Sequence, residues 1–196
     1  MKNVVLLFAF LLVSTLSFSQ WQQVGDDIIG PIEGDYYGAD VSLSASGNRI
    51  ATFNGDRENG LSGEVQVYEF TGGSWSQIGQ TVPGVSGTKD AGNIGNVRLN
   101  ADGDRFVFGN PFSDVNNPYE GAVRVFEFQN GSWVQLGQVI LGDNEYDKLG
   151  ASVDITAAGD RIVVSASKRN PMTIEDGFAR VYELQGTNWV QIGQNI

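Results

Sequence analysis

The sequence predicts an all-β protein built from a repeated, four-stranded antiparallel unit. A tryptophan-centred motif recurs at spacings of 54, 58 and 56 residues. Two further motifs recur in phase with it. The intervening segments are rich in β-branched and aromatic residues and show no helical period. Four-stranded units that repeat every roughly 40 to 60 residues are typical of β-propeller blades, so we expect about three blades.

The first motif is Trp-x-Gln-apolar-Gly, and it contains every tryptophan of the chain. It begins at Trp21, Trp75, Trp133 and Trp189. We interpret each tryptophan as the start of the outermost strand, D, with its ring in the blade core. The first copy, residues 21–25, is then one extra N-terminal strand ahead of three complete blades, and Trp21 is the one ring we expect to be exposed.

The second motif is an alternating run opened by glycine, at residues 63–70, 121–128 and 177–184. It predicts strand C. Val65 and Val67 lie on one face of the first run, and Tyr68 and Phe70 lie on the other. A strand that is apolar on both faces suits a blade packed between two neighbours.

The third motif, Ala-x-Gly-x-Arg, occupies residues 45–49, 101–105 and 157–161 and predicts a tight turn between strands A and B. Its arginines open strand B, and a glutamate recurs near the end of strand C. Because these strand ends meet, we expect structural cross-strand pairs rather than catalytic ones. The arginines are Arg49, Arg105 and Arg161, and the glutamates are Glu69, Glu127 and Glu183.

These motifs give a domain of residues 20–196 with blades at about 35–82, 91–140 and 147–196. The strand order is D, followed by A-B-C-D three times. Because propellers close with four to eight blades, we expect this sequence to be part of a larger propeller, with further blades of the same chain missing from it.

Residues 1–19 read as a Sec signal peptide. Lys2 precedes an apolar run from Val4 to Val13, and Ser17 and Ser19 suit a cleavage site. The run is too short for a membrane span. We therefore expect a secreted or cell-surface protein with no membrane span after cleavage.

Composition narrows the possible functions. The net charge is −11, which argues against nucleic acid as a partner, and the chain has no Cys and no His. The usual nucleophile–base pairs and thiolate metal sites are therefore missing, and no phosphate-binding or dinucleotide motif is present. The sequence thus favours a protein that is not an enzyme and needs no cofactor.

Several segments resemble the FG-GAP repeats of integrin-α-like propellers. The segments are Tyr37-Gly-Ala-Asp-Val41, Leu149-Gly-Ala-Ser-Val153 and Phe108-Gly-Asn-Pro111. The resemblance covers about residues 21–196, and the Trp and Tyr-Glu-Phe positions are also similar to kelch repeats. It implies propeller blades. The family's calcium loop between strands A and B is replaced here by a tight turn, so its calcium sites are not carried over.

The long B–C and D–A links lie at one end of each blade and are rich in acids. We call this end the loop face. Its basic residues are Arg57, Lys89, Lys148, Lys168 and Arg169. Its acids are Asp26, Asp27, Glu33, Asp35, Asp56, Glu58, Asp90, Asp114, Glu120, Asp143, Glu145, Asp147, Glu175 and Asp176.

One acidic segment has the alternating oxygen ligands that suit calcium: Asp143, Glu145 and Asp147. Asp147 also matches a recurring turn acid before strand A, so a structural role is the alternative.

Three functions follow for the loop face. The first is an exported, non-catalytic binding or adhesion module for an extracellular protein or glycan. The second is a glycan-active enzyme that uses loop carboxylates. The third is a structural spacer in a larger surface protein. The missing His and Cys favour the first.

Overall fold

A computed structural model describes residues 21–30, 36–55, 63–85, 95–167 and 176–196, and these residues contain fourteen β-strands and no helix. The strands are β1 (Tyr36–Leu43), β2 (Arg49–Gly55), β3 (Glu64–Thr71), β4 (Ser74–Gln77), β5 (Val82–Pro83), β6 (Asn96–Leu99), β7 (Arg105–Asn110), β8 (Ala122–Gln129), β9 (Ser132–Gln135), β10 (Ile140–Leu141), β11 (Leu149–Ile155), β12 (Arg161–Ala166), β13 (Phe178–Gln185) and β14 (Asn188–Ile192).

The strands form three antiparallel sheets, each a meander of consecutive strands. The first runs β1-β2-β3-β4 with β5 also on β3, and the second runs β6-β7-β8-β9 with β10 also on β8. The third runs β11-β12-β13-β14. These are four-stranded β-propeller blades, so the predicted fold class is confirmed. In the described part of the chain, no helix is long and apolar enough to cross a membrane.

The outer strand of each blade is interrupted by a glycine bulge. After β4, the Ile78 amide donates to the Val67 carbonyl at 2.9 Å, and pairing resumes at Val82 opposite Val65. Gly79 between them has φ +67°, which glycine adopts without strain. Gly137 and Gly193 repeat this geometry in the other blades, with φ +81° and +75°. The bulge turns the residue after the glycine toward the next blade.

The prediction of an extra N-terminal strand at residues 21–25 is wrong, because this segment has no strand geometry. It docks on the first blade instead. The Val24 carbonyl accepts a 2.9 Å hydrogen bond from the Trp75 indole, and Gly25 lies against the Trp75 ring. No described strand offers it a ladder partner, and a lone segment cannot satisfy its backbone as a strand. Trp21 is fully exposed, as expected.

The Arg–Glu pairs expected from the sequence are present in all three blades. Each arginine stands directly opposite its glutamate in the ladder between strands B and C. The closest N–O distances are 2.8 Å for Arg49–Glu69, 2.5 Å for Arg105–Glu127 and 2.7 Å for Arg161–Glu183. Hydrogen bonds from Gln129 and Arg105 hold the pKa of Glu127 below its usual value.

The first two arginines also join neighbouring blades at the turn end. Arg49 Nη1 donates to the Gly103 carbonyl of the next blade at 3.2 Å, and Arg105 Nη1 donates to the Gly159 carbonyl at 3.1 Å. The turns bond directly as well, since the Ala45 amide donates to the carbonyl of Ala101 at 2.9 Å. The arginine of this repeat position thus forms an ion pair within its own blade and a hydrogen bond to the next blade.

The tryptophans join neighbouring blades at the outer edge. The Trp133 indole donates to the Ile78 carbonyl of the preceding blade at 3.0 Å. The Gln80 side chain then bonds both backbone groups of Trp133, donating at 2.7 Å and accepting at 2.9 Å. Leu136, Gln138 and Trp189 repeat this arrangement at the second junction.

The apolar core lies between the blades rather than within one sheet. One cluster joins blades one and two and includes Phe53, Phe106 and Trp133; the other joins blades two and three and includes Val125 and Trp189. Trp133 and Trp189 are each 3% exposed, as predicted.

Trp75 departs from that prediction and is half-buried. It lies on the outer face of the first blade, where the Phe70 ring packs against it at 5.1 Å and the segment around Val24 and Gly25 covers it in part.

Candidate functional site

Most of the described part of the loop face is built from two loops, and its other described acids, Asp26, Asp27 and Asp176, are exposed outside them. Residues 111–121 connect β7 to β8, and residues 142–148 connect β10 to β11. Several loop-face residues of the sequence prediction lie outside the described residues: Glu33, Asp35, Asp56, Arg57, Glu58, Lys89, Asp90, Lys168, Arg169 and Glu175. The predicted signal peptide, residues 1–19, lies outside them as well.

The two loops are joined by a short parallel ladder. The Tyr146 amide donates to the Pro118 carbonyl at 2.8 Å, and the Lys148 amide donates to the Tyr119 carbonyl at 2.9 Å. Gly121 forms a parallel bridge with Leu149. A Cβ on Gly121 would lie 2.3 Å from the Leu149 backbone, so this close approach requires glycine. The loops therefore form one rigid unit rather than two independent links.

Three carboxylates hold this unit from within. Asp114 Oδ1 accepts the Tyr119 amide at 2.6 Å, and Glu120 Oε1 accepts the Asn116 amide at 2.5 Å. Glu120 and Asp147 are each 1% exposed. A buried carboxylate that accepts backbone N–H groups fixes the conformation of its own loop. These acids of the sequence prediction therefore shape the loops rather than face solvent.

The calcium candidates do not converge on a metal site. Asp147 Oδ2 accepts the amides of Asp143 and Asn144 at 2.9 and 3.1 Å, which is the geometry of the turn acid considered as the alternative. The Asp143 carboxylate pairs with Arg180, while Glu145 is exposed. Throughout the described ranges, no group of three or more acidic, His or Cys side chains could hold a metal ion.

The Asp143–Arg180 pair ties the second loop to the third blade. The Arg180 side chain is 9% exposed, lies 4.2 Å from the centre of the Phe178 ring, and also donates to Asn195 at 2.9 Å. The hydrogen bond that Arg180 donates to Asp143 raises the pKa of Arg180 above its usual value.

The outward side of the two loops carries a cluster of half-buried rings, which we call the tyrosine platform: Phe112, Tyr119, Tyr146 and the adjoining Lys148. The rings of Tyr119 and Tyr146 stack at 5.4 Å with 26° between their planes. Phe112 meets the Tyr119 ring edge-on at 6.0 Å, and Lys148 Nζ lies 5.3 Å from the Phe112 ring centre. The stacked tyrosine pair thus takes one ring from each loop, and Phe112 adds a second ring from the first loop.

The backbone of the platform is strained. Tyr119, Tyr146 and Lys148 have φ of +53°, +63° and +55°, which side chains other than glycine rarely adopt. Each such residue costs on the order of 1–3 kcal/mol and persists where its surroundings over-determine it. Here the ladder between the loops and the Asp114 carboxylate supply that constraint. Strain of this kind clusters at binding sites and directs attention to these rings.

Sequence reasoning missed the platform. It treated aromatic residues as blade core, which is correct for the repeat positions. Phe112, Tyr119 and Tyr146 do not occupy repeat positions and lie in long loops. That combination was a usable signal, although the contact between the two loops was not visible in the sequence.

The platform has the chemistry of a neutral ligand site. Two tyrosine rings offer flat apolar surface with polar tips, and Glu145 and the loop carbonyls are hydrogen-bond acceptors. Asp114, Glu120 and Asp147 already accept hydrogen bonds from backbone amides of their own loops.

Comparisons with known proteins support the fold and no narrower assignment. No family model matches the chain, and no curated protein matches it. A proposed 6-phosphogluconolactonase from Bacteroides uniformis matches at 18% identity with a TM-score of 0.50, over 80% of this chain and 39% of that one. A hypothetical selenium-binding protein from Sulfolobus tokodaii matches at 11% identity with a TM-score of 0.53, over 80% of this chain and 41% of that one.

The β-propeller domain of the trilobed protease from Pyrococcus furiosus is also similar, at 15% identity and a TM-score of 0.47, over 80% of this chain and 43% of that one. The chain therefore spans about two-fifths of the length of these structures. Since no family model matches, the FG-GAP assignment stays a prediction.

Proposed function

We propose that the protein is an exported, non-catalytic β-propeller module that binds a glycan on the tyrosine platform of its loop face. The observation that carries the proposal is the stacked Tyr119–Tyr146 pair on two mutually bonded loops. A sugar ring presents an apolar C–H face and a rim of hydroxyls. The aromatic surface suits the face, and the acceptors around the platform suit the hydroxyls.

Binding is favoured over glycan hydrolysis by the state of the carboxylates. Hydrolysis needs two carboxyl groups facing the scissile bond, one of which carries a proton. Asp114, Glu120 and Asp147 are instead engaged by backbone N–H groups of their own loops. The described loops therefore support a binding site better than a catalytic one.

The experiment is a glycan array probed with residues 20–196, followed by the same array with Tyr119→Ala and with Tyr146→Ala. Both variants should lose at least about tenfold in affinity, the loss expected when one aromatic contact is removed. Asp102→Ala is the matched control, because Asp102 is exposed in a turn at the opposite end of the blade. Thermal melts should show all three variants folded.

Two results would contradict the proposal. The first is binding that both alanine variants retain in full. The second is an array with no binding at all, together with capture of a basic protein by the wild-type chain, which would assign the acidic loop face to a protein partner.

Export is tested separately by fusing residues 1–19 to an alkaline phosphatase that is active only outside the cytoplasm. We expect activity from the native leader and none from Leu6→Arg, which breaks the apolar run. Activity from both fusions, or from neither, would contradict a Sec leader.

A further inference from the structure

We propose that Arg124 binds the carboxylate group of a ligand at the first junction, where blades one and two meet. Arg124 is the third residue of β8 and follows the 111–121 loop closely, so it lies near the loop face. Phe126, two residues further on the same face of the strand, belongs to the core cluster shared with blade one. The Arg124 side chain therefore lies inside the junction. The site is separate from the tyrosine platform and does not rest on the proposed glycan function.

The guanidinium of Arg124 lies in apolar surroundings. Its central carbon is 5.5 Å from the Phe108 ring centre and 5.2 Å from the Phe126 ring centre. These rings exclude water from the guanidinium but supply no oxygen acceptor. Across the junction, Arg124 Nη2 donates to the Pro83 carbonyl at 2.6 Å.

Most of the hydrogen-bonding capacity of Arg124 is unused. A guanidinium has five N–H donors, and the described residues engage one of them, through the Pro83 carbonyl. Nε is buried and has no hydrogen-bond partner in the described part of the chain. Buried donors of this kind are rare in folded proteins and call for an acceptor.

The positive charge of Arg124 also lacks a counter-charge. Within the described ranges, no carboxylate forms an ion pair with it. Burial lowers the pKa of Arg124 to about 10, which still leaves the side chain charged at neutral pH. A partly buried charge without a partner is unfavourable, and an anion bound beside it removes that cost.

The equivalent arginine of blade three shows what this position accepts. Arg180 lies three residues after the glycine that opens its strand, as Arg124 does. It pairs with the Asp143 carboxylate, which comes from the loop that follows the preceding blade, and it donates to Asn195 at 2.9 Å. At the second junction, therefore, a carboxylate reaches this arginine from the side of the loop face.

Both of these partners are replaced by valine at the first junction. Asp143 lies ten residues after the tryptophan of its blade, and the residue ten positions after the tryptophan of blade one is Val85. Asn195 lies six residues after the tryptophan of its blade, and the equivalent residue of blade two is Val139. The first junction thus keeps the cation at Arg124 without the carboxylate that accompanies it at the second junction.

The expected ligand carries a single carboxylate. The planar fork of a guanidinium matches the two oxygens of a carboxylate, and the bonds are charge-assisted. The chain has a net charge of −11, which repels polyanions such as nucleic acids and heavily sulfated glycans. A uronic-acid sugar or a small free carboxylic acid meets both conditions.

The first test is an NMR titration of ¹⁵N-labelled residues 20–196 with glucuronate, followed through the Nε–Hε resonances of the eight arginines. We expect the Arg124 resonance, assigned by its loss in Arg124→Gln, to shift and saturate. The Arg180 resonance should stay in place, because Arg180 is already paired. The methyl ester of glucuronate has no charge and should bind at least about tenfold more weakly.

Acetate distinguishes the two sources of the carboxylate. Weaker binding of acetate than of glucuronate would assign the site to an acidic sugar, and equal binding would assign it to small free acids. An Arg124 resonance that does not shift with either acid would overturn the proposal. Equal shifts with glucuronate and its methyl ester would overturn it as well.

The second test restores the missing carboxylate within the chain. Val85→Asp places an acid where Asp143 lies at the second junction. We expect this variant to shift the Arg124 resonance without ligand, to raise Tm and to lose glucuronate binding. Val85→Asn, which has the same size and no charge, is the matched control and should retain binding. Full binding by Val85→Asp, or equal loss in both variants, would contradict the site.

Discussion

Replacing Trp133 with alanine should destabilise the fold more than replacing either platform tyrosine, because Tyr119 and Tyr146 are only half-buried. The ring is 3% exposed and lies 4.9 Å from the ring centres of both Phe106 and Phe128. Its indole also donates to the Ile78 carbonyl across the junction. Losing a buried tryptophan costs about 3–5 kcal/mol of unfolding free energy. At this chain length each kcal/mol lowers Tm by about 2–4 °C, so we expect a fall of about 6–20 °C.

The measurement is calorimetry together with urea unfolding, because the two report Tm and unfolding free energy independently. Trp133→Phe should lose about 1 kcal/mol, since it keeps the apolar contacts and removes one hydrogen bond. Trp75→Ala should fall between these, because Trp75 is half-buried, and Trp21→Ala should have no effect. A Trp133→Ala chain within about 1 kcal/mol of wild type would refute the view that junction tryptophans hold the blades together.

Three further outcomes follow from the structure. Gly121→Ala should lower the free energy of unfolding by at least about 3 kcal/mol, because the new Cβ would meet the Leu149 backbone. Gly131→Ala, also at positive φ but in open space, should lower it by about 1 kcal/mol, and urea unfolding compares the two. Because the pKa of Glu127 is lowered, its contribution to stability is present above the unfolded-state pKa and is lost as pH falls through the folded-state pKa. Glu127→Gln should therefore make Tm fall less steeply as the pH is lowered into the acid range. Because the chain has no His and no Cys, Tm should be nearly constant between about pH 6 and 8.

The blade architecture was predictable because three motifs recur in phase. Residues at the same repeat position occupy the same place in each blade. Locating Arg105 opposite Glu127 in one blade therefore fixes the strand register in all three. The motifs predicted that the tryptophan rings are buried, but they did not predict the hydrogen bonds that these tryptophans make with the preceding blade. A glutamine also follows three of the four motif glycines, at Gln80, Gln138 and Gln194, and this recurrence could have indicated a second bonded partner.

The remaining errors concern contacts that no local pattern encodes. Residues 21–25 carry a strand-like motif, but a strand also needs a neighbour to bond, and motif spacing does not supply one. Alternating oxygens at residues 143–147 suit calcium, yet the Asp147 carboxylate turned inward to bond backbone amides of its own loop. The platform depends on the meeting of two loops, which is set by the packing of whole blades.

The most direct test of the proposed glycan site is ¹⁹F NMR of residues 20–196 labelled with 3-fluorotyrosine. The chain has six tyrosines, so six resonances are expected, and Tyr→Phe variants assign them. The probes are cello-, xylo-, manno- and chito-oligosaccharides, added in turn. A binding glycan should shift the resonances of Tyr119 and Tyr146 together and leave that of Tyr182, 7% exposed in the blade core, in place. Shifts confined to other tyrosines, or no shift with any of these sugars, would contradict the account.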